Sequence, residues 1–343
     1  MSGGTWRVTI RRTASFLFVG VLGCGGNGTA STGEGSSATS AEPSHVEVLR
    51  HVPTGPAPIG ITAAFGSVWV VNSEFRVHDR GSVTRIDLDT GNVVATITVG
   101  SVPLEIAPGA GSLWVSNSGE NTVSRIDPSS NEVVATVHVC HAPEGLAAAG
   151  TAVWVVCEDD DAVGVIDAAQ DRMVSATDVG ISPRFVLAAY GSIWVSNYAG
   201  STISRIDPGT RKVVATIDTA SGPQLMLAME DGLWLSATGE PAVQEIDAAI
   251  DRVATTIDDV GTTPDGLCEL DGGIWVASES GPELHRIDPS IGAVEGPWVV
   301  ADQGSISANQ LVIAVAGSLW FPLFDSGEVV EVAVPSTVGG PSG

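Results

Sequence analysis

The stretch GSLWVSN occupies residues 111–117 and returns almost unchanged as GSIWVSN at residues 191–197. Its tryptophan recurs along the chain, with successive spacings of 45, 40, 40, 40, 41 and 45 residues. The seven copies are Trp69, Trp114, Trp154, Trp194, Trp234, Trp275 and Trp320. A nearly fixed period of this length is typical of a protein built from repeated supersecondary units.

Each repeat contains four short β-type runs and no helical period. In the second repeat these runs are EIAPG, SLWVSN, TVSRID and EVVATVHV. Val, Ile and Thr fill the runs, and Gly, Asn, Ser and Asp separate them, as expected for strands and turns. Four strands in about 40 residues is the unit of a β-propeller. We therefore predict an all-β, seven-bladed β-propeller over residues 45–335, with four antiparallel strands per blade.

The seventh repeat lacks a fourth run of its own. After Trp320 the chain supplies only SLWFPLF and GEVVEVAV. The segment HVEVLRHVP at residues 45–53 has the pattern of a fourth run, although it precedes the first repeat. We predict that this N-terminal strand completes the last blade, because such closure removes an open sheet edge.

The first 24 residues have the features of an export signal. Arg7, Arg11 and Arg12 precede an apolar stretch that is too short to span a bilayer. The stretch ends in VLGC at residues 21–24, which resembles the lipobox of bacterial lipoproteins. That resemblance implies lipid attachment at Cys24 and a location at a bacterial membrane. The alternative is an ordinary secretory signal, which would give a secreted or periplasmic protein.

The two ends of the chain outside the repeats are expected to be unstructured. Residues 25–44 are rich in Gly, Ser and Thr and contain too few apolar residues to form a core. We expect this segment to act as a flexible tether between the signal and the propeller. Residues 336–343 are expected to form a disordered tail.

The charge of the chain bears on its partners. Forty acidic residues against 15 basic ones give a net charge of −25. Such a charge repels phosphate backbones, so nucleic acid is not an expected partner. We expect a protein or a small polar molecule as the partner, and a monomeric propeller.

Binding residues are expected where the repeats differ, since a residue present in most blades serves the scaffold. The residue after the inner-strand proline varies around the ring, and the second strand ends in asparagine in three blades. From these positions we predict a ligand site at the channel mouth, formed by Glu144, Arg184, Gln224, Asp265, Gln310, Asn72, Asn117 and Asn197. The alternative is a solvated channel mouth with no ligand.

The cysteines and the acidic run at residues 157–162 are a separate feature. Cys140 and Cys157 flank the inner hairpin of the third blade, so they could form a disulfide in an oxidising compartment. Cys268 lies within an inner strand and is expected to be a buried free thiol. The run CEDDDA lacks the alternation of a calcium-binding loop, and we interpret it as a solvated turn.

The repeats also carry a family resemblance. SVTRIDLDTGNVVATITVG at residues 82–100 and TVSRIDPSSNEVVATVHVC at residues 122–140 resemble the YVTN-type, seven-bladed propeller repeats of exported bacterial proteins. The Pro-x-Gly motif followed by Leu-Trp resembles the virginiamycin B (streptogramin) lyases. That second resemblance implies a catalytic histidine after a proline and acidic ligands for Mg²⁺. In this chain no inner-strand proline is followed by histidine, and Glu144 and Asp265 stand in that place.

Two functional hypotheses follow. The first is a binding or scaffolding module of the cell envelope with an unknown ligand. The second is a metal-dependent lyase or lactonase, in which the channel mouth holds a divalent cation. Glu144, Asp265 and the asparagines could supply oxygen ligands to such a cation.

Overall fold

The computed structural model describes residues 44–73, 79–230, 232–278, 281, 283–300 and 312–334. These residues belong to one unit, Pro43–Gly343. The expected signal with Cys24, nearly all of the tether and the C-terminal tail lie outside the described residues. Within the described ranges, no helix combines the length and the apolar content needed to cross a membrane.

Short β-strands account for almost all of the regular structure, with one 3-10 turn at Glu158–Asp160. In chain order the strands are β1 Ser44–His45, β2 Val48–Pro53, β3 Pro58–Ala64, β4 Ser67–Asn72, β5 Arg80–Asp87, β6 Val93–Ser101, β7 Pro103–Gly109, β8 Ser112–Asn117, β9 Thr122–Asp127, β10 Glu132–His138, β11 Pro143–Ala149, β12 Ala152–Cys157, β13 Ala162–Asp167, β14 Arg172–Asp178, β15 Pro183–Ala189, β16 Ser192–Asn197, β17 Thr202–Asp207, β18 Lys212–Asp218, β19 Pro223–Ala228, β20 Leu233–Ala237, β21 Ala242–Asp247, β22 Arg252–Ile257, β23 Pro264–Leu270, β24 Gly273–Ser278, β25 Glu283–Asp288, β26 Ala293–Val299, β27 Ile313–Val315, β28 Ser318–Leu323 and β29 Glu328–Ala333.

These strands form seven sheets, which are the predicted blades. Blades 1 to 5 each contain four consecutive antiparallel strands, beginning with β3, β7, β11, β15 and β19. Blade 6 starts at β23 and blade 7 at β27. The prediction of a seven-bladed, all-β propeller is therefore confirmed.

The N-terminal segment closes the ring as predicted. Strand β2 pairs with β29 in antiparallel fashion, with Val52 opposite Val329. One feature was not predicted: β1 pairs in parallel with β26, so blade 6 has a fifth strand. Between the two strands, Val46 is buried in the same apolar cluster as Trp298 and Val300. The N-terminal segment thus contacts both blade 6 and blade 7.

The repeated tryptophans lie in the apolar cores of the blades. Trp114 is fully buried, and the guanidinium carbon of Arg125 lies 5.3 Å from the centroid of its ring. The same guanidinium donates a hydrogen bond to the carbonyl of Ala168 and forms a 2.9 Å ion pair with Asp171 in the next blade. Arg85 and Arg205 also donate to a carbonyl of the next blade, so these arginines link neighbouring blades through charge-assisted bonds.

The repeated aspartates cap turns. The Oδ1 atom of Asp127 accepts hydrogen bonds from the backbone N–H of Ser129 at 2.8 Å and from its hydroxyl at 2.6 Å. These bonds, that of the hydroxyl first, lower the pKa of Asp127. The geometry is that of an Asx turn, in which the side chain bonds to the backbone two residues on.

Candidate functional site

The inner strands begin at one face of the ring, here called the top face, and in blades 1 to 6 each begins with a proline and a bulge. In blade 3, Pro143 pairs with Cys157, but the next pair in register is Leu146 with Val155. Glu144 and Gly145 are therefore left out of the ladder, and both border the channel. A Cβ atom on Gly145 would lie 2.7 Å from the carbonyl oxygen of Arg184, so glycine lets blades 3 and 4 approach closely.

Four consecutive blades share one cavity at this mouth. Its lining residues are Leu104 and Glu105 from blade 2, Glu144 and Gly145 from blade 3, Arg184 and Phe185 from blade 4, and Gln224 and Leu225 from blade 5. The cavity volume is about 20 Å³. A space of this size holds about one water-sized group.

Arg184 is at the centre of the charged groups. Its Nη2 atom lies 3.0 Å from the Oε1 atom of Glu158, and its Nη1 atom lies 3.6 Å from the Oε1 atom of Glu144. Its guanidinium carbon lies 5.1 Å from the ring centroid of Tyr198. The hydroxyl of Ser182 donates a 2.9 Å hydrogen bond to Glu158, which fixes that carboxylate. Two carboxyl groups therefore already neutralise the one cation of the cavity lining.

Burial and charge shift the protonation of these groups. Burial raises the pKa of Glu144 well above its usual value, and Arg184 opposes this rise. The negative charges of Glu158 and Glu105, and a hydrogen bond to the Glu158 side chain, raise it further. Burial lowers the pKa of Arg184, but Glu144 and Glu158 outweigh that effect, so its pKa is raised and the guanidinium stays charged.

Glu105 is a cavity residue that the sequence prediction missed. Its carboxyl accepts a 3.0 Å hydrogen bond from the N–H of Ile106, and the half-buried side chain lines the cavity. Burial raises the pKa of Glu105 to about 8; the N–H of Ile106 opposes the rise and the charge of Asp265 adds to it. The sequence does contain a signal for this residue. Glu105 is the third residue of its inner strand, counted from the proline, and the equivalent residues in blades 1 and 3 are Gly60 and Gly145.

The predicted residues after the prolines fall into three groups. Glu144, Arg184 and Gln224 line the cavity. Asp265 is 1 % exposed, and its charge acts on both Arg184 and Glu105. Gln310 lies outside the described residues.

The three predicted asparagines form hydrogen bonds within the scaffold of the ring. The amide of Asn117 donates to the hydroxyls of Thr122 and Ser124, and its Oδ1 atom accepts from the N–H of Gly100. Asn197 makes the equivalent bonds in blade 4. In blade 1, the amide of Asn72 donates to two hydroxyls in the same way. All three side chains are buried.

The structure joins Cys140 and Cys157 in a disulfide, with their Cα atoms 5.5 Å apart. Cys268 is a buried free cysteine, as expected. Asp159, Asp160 and Asp161 of the acidic run are exposed, in keeping with a solvated turn. Glu158, which follows the disulfide, differs because it pairs with Arg184. The disulfide therefore fixes the backbone that carries one of the carboxylates of the site.

For the hypothesis that the channel mouth holds a divalent cation, the described residues provide no set of ligands. Among the residues that the structure describes, no three His, Cys, Asp or Glu side chains lie close enough together to hold a metal ion. The asparagines, which were to complete the coordination of Glu144 and Asp265, bond within their own blades instead.

Comparisons with known proteins agree on the fold. The chain is a seven-bladed β-propeller. It is similar to the hydrazine synthase of Kuenenia stuttgartiensis, with 16 % identity, a TM-score of 0.70, and coverage of 86 % of this chain and 99 % of that one. The Cps50 (Swd1) propeller domain of Myceliophteria thermophila is 11 % identical, with a TM-score of 0.69 and coverage of 84 % and 100 %. The computationally designed protein Ika8 is 11 % identical, with a TM-score of 0.63 and coverage of 85 % and 100 %.

These likenesses concern the fold alone. Neither a family model nor a curated protein matches the chain. Because propellers carry many unrelated functions, a function for this one has to be argued from its own site.

Proposed function

We propose that the protein is an extracytoplasmic binding module that holds a small polar ligand in the top-face cavity. The cavity itself carries the proposal. Four blades direct unlike side chains toward one space, although the same blades share their tryptophans and turn aspartates. A small ligand that sits off the ring axis needs such unlike groups, and convergent polar groups in a concave site are its usual binding site.

We further propose that the chain is an exported, lipid-anchored member of the YVTN-type propellers, related to the streptogramin-lyase-like branch. Its repeat motifs, the apolar N-terminal stretch and the VLGC sequence support this proposal. The Cys140–Cys157 disulfide supports export, since such bonds persist mainly in oxidising compartments. In this proposal the propeller is a monomer that binds no nucleic acid.

Co-purification tests the binding function. The full chain is isolated from the envelope and denatured, and the released small molecules are identified by mass spectrometry. We expect a molecule that is lost from a Glu144→Ala, Asp265→Ala variant but retained by an Asp127→Ala, Asp207→Ala control, because the control aspartates cap turns away from the cavity. Loss from the control, with retention by the cavity variant, would contradict the proposed site.

Fractionation tests the proposed anchor. We expect Cys24→Ala to move the protein from membranes to a soluble fraction. Mass spectrometry of the parent's mature N-terminus should show an acylated Cys24, and an unmodified N-terminus beyond residue 25 would disprove lipidation.

A further inference from the structure

The balance of charge at the cavity indicates the class of ligand. Four carboxyl groups act on this space: Glu105 and Glu144 line it, and Glu158 and Asp265 act on its lining residues. Among the described lining residues, Arg184 is the one cation, and Glu144 and Glu158 already neutralise it. An anionic ligand would therefore have to displace a carboxylate from Arg184, whereas a cation would meet carboxyl groups that outnumber the one guanidinium.

Glu105 lines the cavity without an ion pair to Arg184 among the described contacts. Besides burial, the negative charge of Asp265 raises its pKa, its own charge raises the pKa of Glu144, and its carboxyl accepts a hydrogen bond from the N–H of Ile106. Arg184 interacts with Glu144, Glu158 and Asp265. A positive group beside Glu105 would relieve the repulsion between like charges at close range in a poorly solvated site.

The other walls of the cavity indicate an organic cation. Leu104, Phe185 and Leu225 contribute apolar surface, and an aromatic ring also attracts a cation over its face. A metal ion needs several oxygen ligands at short distances, which the described residues do not bring together. An ammonium group needs fewer acceptors, and the small volume of about 20 Å³ suits a head group of that size.

We propose that the cavity binds the positively charged head of a small alkylammonium ion, with Glu105 as the main anion and Asp265 and Glu144 as further negative charges. This proposal rests on the proposed binding function and names the ligand class of the same site. The alkyl part of the ligand would lie against the leucines and Phe185.

Binding of such a cation should release a proton. Because burial raises the pKa of Glu105 to about 8, this carboxyl is protonated in most molecules at pH 7. A bound cation favours its charged form, so the proton leaves when the cation binds. Alkylammonium ions keep their charge at pH 9, as a lysine side chain does. Linkage then predicts that binding tightens between pH 6 and pH 9, by up to about 100-fold if Glu105 alone titrates.

Isothermal titration with n-butylammonium chloride tests the proposal, with sodium butyrate and sodium chloride as controls at equal ionic strength. We expect saturable binding of butylammonium alone, and at pH 7 up to about one proton released per cation, measured in two buffers of different ionisation enthalpy. Glu105→Gln and, separately, Asp265→Asn should weaken binding about tenfold or more, and Glu105→Gln should abolish most of the proton release. A matched control, Asp89→Asn with Glu132→Gln, removes two exposed charges outside the cavity and should leave binding unchanged.

The outcomes separate this proposal from the binding function. Failure of butylammonium to bind, or equal binding to the parent and both cavity variants, overturns the ammonium proposal. Binding of butyrate that depends on the cavity residues overturns it as well, while the binding function stands. The binding function fails on its own test, when no co-purified molecule depends on Glu144 and Asp265.

Discussion

At the scale of single residues, Asn117 shows how a polar side chain at the channel mouth can be wholly structural. Its three hydrogen bonds join the end of β8 to β9 and to the segment that enters the inner strand. A Cβ atom on Gly100 would lie 2.5 Å from Asn117 Cγ, so this close contact requires the glycine. Both N–H groups of the amide are therefore used within the blade.

We predict that Asn117→Ala lowers the free energy of unfolding by about 2–3 kcal/mol, because it leaves buried polar groups without partners. Ligand affinity of the folded variant should stay unchanged. Chemical denaturation measures the first effect, and titration at a temperature where the variant is folded measures the second. The exposed Asn92, changed to Ala, is the control and should stay within about 0.5 kcal/mol of the parent.

Glu105 gives the stability of the protein a pH dependence of defined sign. Its pKa is about 8 in the folded protein and near 4.5 when unfolded, so between these values the folded state binds more protons. The free energy of unfolding should therefore fall as pH rises from 5 to 8, with a slope of up to about 1.4 kcal/mol per pH unit from this group. Glu144, whose pKa is also raised, acts in the same direction.

Replacing Glu105 tests this dependence. In Glu105→Gln the free energy of unfolding should vary less between pH 5 and 8 than in the parent, as measured by denaturant titrations at several pH values. The same charge change at exposed Glu132 should leave the slope unaltered. An unaltered slope in Glu105→Gln would show that this carboxyl titrates normally.

At this scale the sequence predicted three of the eight residues that line the cavity. The residue after each proline could be predicted, because its type changes from blade to blade while its register does not. Glu105 was missed because the bulge leaves two residues out of the ladder instead of one. The structural hydrogen bonds of the asparagines were not foreseen, because a sequence does not show whether an amide at a strand end turns to the channel or back into its blade.

At the scale of single elements, the blades join their strands at the top face with different chemistry at equivalent positions. We call this contact the clasp. It consists of the residue three positions before the inner-strand proline and the residue to which it is bonded, by a hydrogen bond or a disulfide. Blade 2 uses Gly100 and Asn117, and blade 3 uses the disulfide between Cys140 and Cys157. In blade 5 the N–H of Ala220 donates instead to Gln244, which projects from the third strand. The Gln244 amide in turn donates to Thr256 Oγ1.

The neighbours of the clasp change along with it. In blade 2 the amide of Asn117 needs the hydroxyls of Thr122 and Ser124. Blade 3 has Ala162 and Gly164 at those two positions, which a disulfide tolerates because it needs no acceptors. The disulfide closes a loop of 17 residues, a length for which it contributes about 3 kcal/mol.

We predict that the clasp of blade 2 can be moved into blade 3. Cys140→Ser with Cys157→Ser should lose about 3 kcal/mol of unfolding free energy. Cys140→Gly with Cys157→Asn and Ala162→Thr should recover about 1 kcal/mol or more, since the new amide gains a donor and an acceptor. Denaturation of both variants and the parent measures the difference. Equal stability of the two variants would show that the blades do not share one joint.

At the scale of the whole molecule, spacing alone was sufficient to predict the ring. Seven tryptophans at a period near 40 residues, and a fourth strand missing from the last repeat, led to seven blades closed by the N-terminus. The parallel pairing of β1 with β26 could not be predicted. Two residues carry no periodic signal, and that pairing depends on where the closed ring places the outer edge of blade 6.

Ring closure predicts a sharp difference between two truncations. Removal of residues 1–43 leaves both N-terminal strands in place, so the melting temperature should equal that of the full chain. Removal of residues 1–53 also deletes β1 and β2, exposes the edges of β26 and β29, and removes the buried side chains of Val46 and Val52. Each buried valine contributes about 1.5–3 kcal/mol, and an exposed edge invites pairing between molecules. We therefore expect the longer truncation to melt about 10 °C or more below the shorter one, or to aggregate, as followed by calorimetry and light scattering. Equal melting of both truncations as monomers would mean that blade 7 holds the ring closed with three strands.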